Sequence, residues 1–170
     1  MRVLVVLLAS LSTLALAQTP HFWADGPPAP GTGPAELAGF RFGWSTAQSA
    51  RACERAEQRF VAGSPLAVCS GVARRTHFDA KVRLRHCDDR LCEVTAVLAD
   101  SSDATYRQIL GALRRAFGTE AASSVRDDHQ RHYWTPGGFE TALLRRPHGH
   151  GLRIVFQSPE RVLELSRTSD

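Results

Sequence analysis

An apolar run of about 14 residues, Val3 to Leu16, behind a single arginine, Arg2, limits what this chain can become more than any other feature. Ala15-Leu16-Ala17 supplies the small residues of a signal-peptidase site, so residues 1–17 read as a cleaved secretory signal and not as part of the fold. The run is shorter than the roughly 20 residues that cross a bilayer, and no second such run follows, so no membrane anchor is expected. Gln18, not a cysteine, follows the expected cut, which argues against lipid attachment. The expected product is a soluble, periplasmic or secreted protein, held in an oxidising compartment where cysteines pair.

That compartment gives meaning to Cys53, Cys69, Cys87 and Cys92. Four cysteines allow three pairings. Cys87 with Cys92 would bracket Asp88-Asp89-Arg90-Leu91 at a hairpin tip, and Cys53 with Cys69 would tie a first helix to the strand after it. One register argument opposes the first pair. Matching Val82 and Leu84 to Val94, Ala96 and Leu98 sets Leu84 beside Val94 and puts His86, not Cys87, opposite Cys92. A β-bulge would reconcile the two.

Residues 18–38 hold Pro20, Pro27, Pro28, Pro30 and Pro34 with Gly26, Gly31 and Gly33, a composition that reads as a flexible leader. A single domain is expected over 39–170. Ser45 and Gln48 form a capping box ahead of apolar residues at helical spacing, which predicts a helix over about 46–59. Leu66–Cys69 has the character of a short strand; Phe78–Cys87 and Cys92–Leu98 alternate as a hairpin. Asp100 to Asp103 offers N-caps for a second helix, whose stripe Tyr106, Ile109, Leu110, Leu113 and Phe117 ends at Gly118. Three further strands are expected at about 129–134, 139–145 and 152–157, then a short terminal helix at Ser158-Pro159-Glu160.

Both halves thus read as a capped helix followed by three strands. Sliding one over the other so that Ser45 meets Ser102 also brings Cys53 to Leu110, Ala56 to Leu113 and Phe60 to Phe117. The expectation is an α+β fold, two helices packed on an antiparallel β-sheet, built of two degenerate α-β-β-β units. In fold alone this order resembles the repeated helix-and-sheet units of secreted protease- or β-lactamase-inhibitor proteins. No motif carries their function over.

Chemistry is sparse. The formal net charge is +4, lowered by one when Arg2 leaves, and the basic pairs Arg74-Arg75, Arg114-Arg115 and Arg145-Arg146 are interleaved with acids, so no nucleic-acid partner is expected. There is no Gly-x-Ser-x-Gly elbow and no Cys-x-x-Cys, and Asp88-Asp89 and Asp127-Asp128 read as turn residues. No catalytic residue and no cofactor is assigned. His148 and His150, with Asp127, Asp128, His129 and His132, are the candidate metal ligands, but the spacing is not diagnostic. His129 and His132 should face opposite sides of a strand. Trp44, just before the first cap, reads as a hydrophobic staple, while Tyr133 and Trp134 are the candidate partner-binding aromatics. The sequence therefore points to an exported, non-catalytic binding or inhibitor-like module whose partner is another exported protein or an envelope component. The alternative is a periplasmic metal-binding protein using surface histidines.

Overall fold

The computed structural model describes residues 28–29, 31–63, 66–70, 80–126, 129–146 and 151–161. The chain enters through a two-stranded hairpin, β1 (Glu36–Leu37) and β2 (Phe40–Arg41), turned by Ala38 and Gly39 in left-handed conformations. Leu37 and Phe40 are buried in the main core, so the end of the proline-rich stretch is anchored by packing.

Helix α1 (Thr46–Arg55) starts at the expected capping box: the Gln48 N–H donates to Ser45 Oγ at 3.2 Å, and the Ser45 N–H donates to Gln48 Oε1 at 2.8 Å. It ends earlier than the sequence pattern implies. Glu57 turns left-handed, and the chain continues as β3 (Arg59–Val61), which pairs with β4 (Leu66–Ser70). Phe60 is therefore a strand residue. Strands β5 (Ala80–Cys87) and β6 (Arg90–Leu98) form the expected hairpin, with Leu84 beside Val94. Helix α2 (Asp103–Phe117) is capped by Ser102, which accepts from the Thr105 N–H, and stopped by Gly118 at φ 81°. Then come β7 (Ala122–Arg126), β8 (His129–Trp134), β9 (Glu140–Arg145) and β10 (Leu152–Gln157), with a 3₁₀ turn at Pro136–Gly138 and one helical turn at 159–161.

The expected α+β fold of α-β-β-β units is overturned. Among the described residues the fold is mostly one eight-stranded antiparallel sheet, in the order β3-β4-β5-β6-β10-β9-β8-β7, with a small two-stranded sheet and about three short helices. Among the described residues α1 and α2 are each followed by four strands, and the two halves join edge to edge where β6 pairs with β10. The physical reason for the discrepancy lies at the outer edges. β3 reads Arg-Phe-Val and β7 reads Ala-Ser-Ser-Val-Arg; neither has the apolar alternation of a half-buried strand, since each borrows its order from one neighbour.

One face of the sheet carries the core. Val82, Leu84, Val94, Ala96, Leu98, Leu143, Leu152, Ile154, Phe156 and Trp134 join Ile109 and Leu113 of α2 and Cys53 of α1 in one buried cluster. Phe117 meets the Phe156 ring edge-on, with centroids 6.0 Å apart. Two disulfides lock this arrangement, Cys53–Cys69 and Cys87–Cys92, and such crosslinks fit an exported protein. No described helix is long and apolar enough to cross a membrane.

Candidate functional site

Strand pleating divides the two aromatics that the sequence places side by side. In β8, His132 and Trp134 point into the core opposite Leu143 and Thr141, while Tyr133 points to the other face, opposite Ala142. Trp134 is 1% exposed, and its indole N–H donates to the Gly118 carbonyl at 3.0 Å. It is a core residue tying β8 to the end of α2. Tyr133 is half-buried on the face turned away from α1 and α2.

That face has an ordered pattern which the pairing registers define. One row across the strands reads Arg83, Thr95, Val155, Ala142, Tyr133; Thr95 and Ala142 are buried, Val155 and Tyr133 half-buried. The next row reads Lys81, Val97, Arg153, Leu144, Arg131, so cations alternate with aliphatic side chains and no acid intervenes. On the opposite side of the apolar row lie Arg85, Glu93, Gln157 and Glu140, where Glu93 faces Arg85 and Arg161, each at 3.6 Å, and accepts from Gln157 at 3.0 Å. The face is therefore polarised across its central stripe, with Lys81, Arg153 and Arg131 on one side and the carboxylates Glu93 and Glu140 on the other.

At the cationic side a groove of about 200 Å³ opens among His129, Arg131, Tyr133, Leu144, Arg146 and Arg153. Arg145, at its border, is already engaged: it pairs with Asp103 and lies over the Tyr106 ring, 4.8 Å from its centroid. Among the described residues, no carboxylate stands within ion-pair distance of Arg131, Arg146 or Arg153. Two shallow neighbours of this groove, Val155 and Ala142, continue its floor toward Glu140 and Gln157.

Two polar clusters on the core side have the composition of acid–base sites but the burial of packing. Ser49 Oγ lies 3.0 Å from His86 Nε2; Ser49 has no exposure, and burial pushes the His86 imidazole below its ordinary pKa. Asp89 bonds instead to the Thr46 N–H at 3.1 Å, which holds its carboxyl low and fastens the β5–β6 turn to the start of α1. Farther along, Tyr106 Oη lies 2.6 Å from His132 Nε2, and His132 Nδ1 lies 2.9 Å from Glu120 Oε1, which also accepts from Arg114 at 2.6 and 2.9 Å. Burial raises the Tyr106 pKa, and both rings are less than 10% exposed. This series of polar contacts lies under α2, with the Tyr106 and His132 rings withdrawn from solvent.

The candidate metal ligands His148 and His150, with Asp127 and Asp128, lie outside the described residues; among the described residues, no group of three or more His, Cys, Asp or Glu side chains could hold a metal ion. His129 and His132 do face opposite sides of β8. Trp44, the expected staple, is half-buried against the core. Lys81, Arg131 and Arg153, the side chains that give the open face its sign, escape a linear reading because they stand on three separate strands. The available signal is their placement at the polar positions of alternating strands.

No family model matches this sequence, and no curated protein matches it. Among solved structures, the crystal structure of a DUF4309 family protein (YjgB) from Bacillus subtilis is similar to it, with 14% sequence identity and a TM-score of 0.43, over 67% of this chain and 78% of that one.

Proposed function

We propose that this chain is an exported, non-catalytic binding module of the periplasm or the medium that docks an anionic partner, an exported protein or envelope component, on the face of its sheet turned away from α1 and α2. The observation that carries the reading is the row Lys81–Val97–Arg153–Leu144–Arg131. Its aliphatic members supply area that gains by leaving water, and its cations supply sign and register, which is the division of labour in protein recognition. Tyr133 adds a half-buried aromatic anchor beside it, of the kind that carries binding energy at low entropic cost. The two disulfides support export, and the burial of Ser49 and of the Tyr106–His132 pair gives these polar groups packing roles.

The test is a photo-crosslinking side chain placed at Tyr133 and, as control, at exposed Arg107 on α2, each expressed in the native host. A crosslinked species formed from position 133 alone, and lost when Lys81, Arg131 and Arg153 are all changed to Glu, is the expected outcome. Equal yields from both positions, or yields indifferent to the three charge reversals, would remove the reading.

A further inference from the structure

The groove on this face has a geometry that specifies more than a sign. Leu144 forms its floor; Arg131 stands on the strand to one side of it and Arg153 on the strand to the other. Adjacent strands are about 4.8 Å apart, so the two arginine Cα atoms are about 10 Å apart across the leucine. Side chains of that length converge on the space above Leu144, and Tyr133, two residues along β8 on the same face, closes one side. Arg146 and His129 border the same space where β8, β9 and β10 end.

We infer that this groove is a binding site for a phosphoryl group bearing two negative charges, carried on the partner or on a small ligand. Rested on the docking reading above, the inference names the chemistry that the cationic half of that face recognises. Three features lead to it. A volume of about 200 Å³ falls below the roughly 300–1,000 Å³ of sites that enclose whole organic ligands, so the groove takes a head group and leaves its carrier outside. Arg131, Arg146 and Arg153 have no carboxylate at ion-pair distance among the described residues, and a singly charged ligand would leave most of that charge unanswered. Guanidinium forks approach from both sides of Leu144. A carboxylate presents its two oxygens in one direction and satisfies one fork, whereas a phosphoryl group presents three oxygens around a tetrahedral centre and can take both. The Tyr133 ring beside the groove offers an apolar surface to whatever carries the phosphate.

The experiment titrates the folded, oxidised protein with phenyl phosphate, phenyl sulfate and benzoate at one ionic strength and neutral pH, followed by amide chemical shifts and calorimetry. These probes share a ring and differ in charge and shape. Phenyl phosphate is expected to bind at least roughly tenfold more tightly than the other two, with shifts confined to Tyr133, Leu144, Arg153 and their neighbours. Arg131→Gln and Arg153→Gln should each weaken it about fivefold or more, while Arg107→Gln on α2 leaves it unchanged. Equal affinity for phenyl sulfate or benzoate, or insensitivity to Arg131→Gln and Arg153→Gln, overturns the inference. If phosphate recognition fails while the crosslink from position 133 persists, the phosphoryl site falls and the docking face stands. If phenyl phosphate binds as expected and no crosslink forms, the site stands as a small-ligand site and the docking face falls.

Discussion

Cys87 and Cys92 are joined by a disulfide although the ladder between their strands sets Cys87 opposite Arg90. The register runs Leu84–Val94 and Arg85–Glu93, then shifts between Arg85 and His86, so that His86 meets Leu91 and Cys92 falls out of the pairing. The bulge brings the two Cα atoms to 5.8 Å, within bridging range. It also leaves Leu91 free to exchange backbone hydrogen bonds with Gly43 and Trp44, fastening the entry segment to the hairpin tip.

The two crosslinks should differ in worth. Cys53–Cys69 spans 16 positions and Cys87–Cys92 spans 5. Restricting the unfolded chain by loops of these sizes corresponds to about 3 and about 2 kcal/mol. Cys53 and Cys69 are also fully buried, so replacing them opens space in the core. Changing Cys53 and Cys69 together to Ala is expected to cost more in urea unfolding than changing Cys87 and Cys92. The reverse order would mean that the hairpin tip, with its contacts to Gly43 and Trp44, organises more of the fold than the core bridge does.

Acid sensitivity should trace to Glu120. Its hydrogen bond from Arg114 holds its carboxyl below the ordinary glutamate pKa in the folded protein. A depressed carboxyl contributes stability that is complete above its unfolded pKa and is lost as pH falls through the folded one. Glu120→Gln should therefore lower the melting temperature at pH 7, and the deficit should shrink as pH falls below the ordinary glutamate range and the folded carboxyl takes up its proton. A deficit that stays constant with pH would show that the substitution acts through packing against His132 and not through charge.

Gly137 adopts φ 56° in the turn between β8 and β9, and a Cβ there would run into the backbone of Thr32 and Gly33. Both the left-handed conformation and the close approach require glycine. Gly137→Ala is expected to destabilise the fold by about 1–3 kcal/mol and to shift the amide resonances of residues 32–33 as that segment is pushed off. An unchanged melting curve would mean that the segment packs against the turn without contributing to the cooperative unit.

What the sequence revealed follows from where physical information is local. Ser45 with Gln48, Ser102 with Gly118, and the alternation Val82–Leu84 against Val94–Ala96–Leu98 are decided within a few residues, and α1, α2 and the central hairpin were legible from them. The disulfide pairs were legible from their placement, one across a hairpin tip and one from helix to next strand, although the register opposed Cys87–Cys92 unless a bulge intervened. Edge strands β3 and β7 were not, since Ser123 and Ser124 become strand residues only by pairing with His132 and Arg131. Their appearance turned an expected helix-and-sheet unit into a sheet-dominated fold. The candidate site was legible only in Tyr133, because Arg131 and Arg153 become neighbours of one groove through Leu144, a relation that no spacing along the chain encodes.

Tyr133 and Trp134 provide the sharpest separation of stability from function, because adjacent positions in β8 serve opposite faces. Trp134 fills the core and donates to Gly118, so Trp134→Ala should cost about 3–5 kcal/mol, and Trp134→Phe less, through the lost hydrogen bond and volume. Tyr133 packs only along the open sheet beside Ala142, Leu144 and Val155, so Tyr133→Ala should cost about 1 kcal/mol or less in unfolding yet weaken phenyl phosphate binding in the same sample. Thermal denaturation and ligand titration on the two alanine variants read both axes at once. Should Tyr133→Ala unfold the protein as readily as Trp134→Ala, the face turned away from α1 and α2 would belong to the structural core, and the proposed division of this sheet into a packed side and a binding side would be wrong.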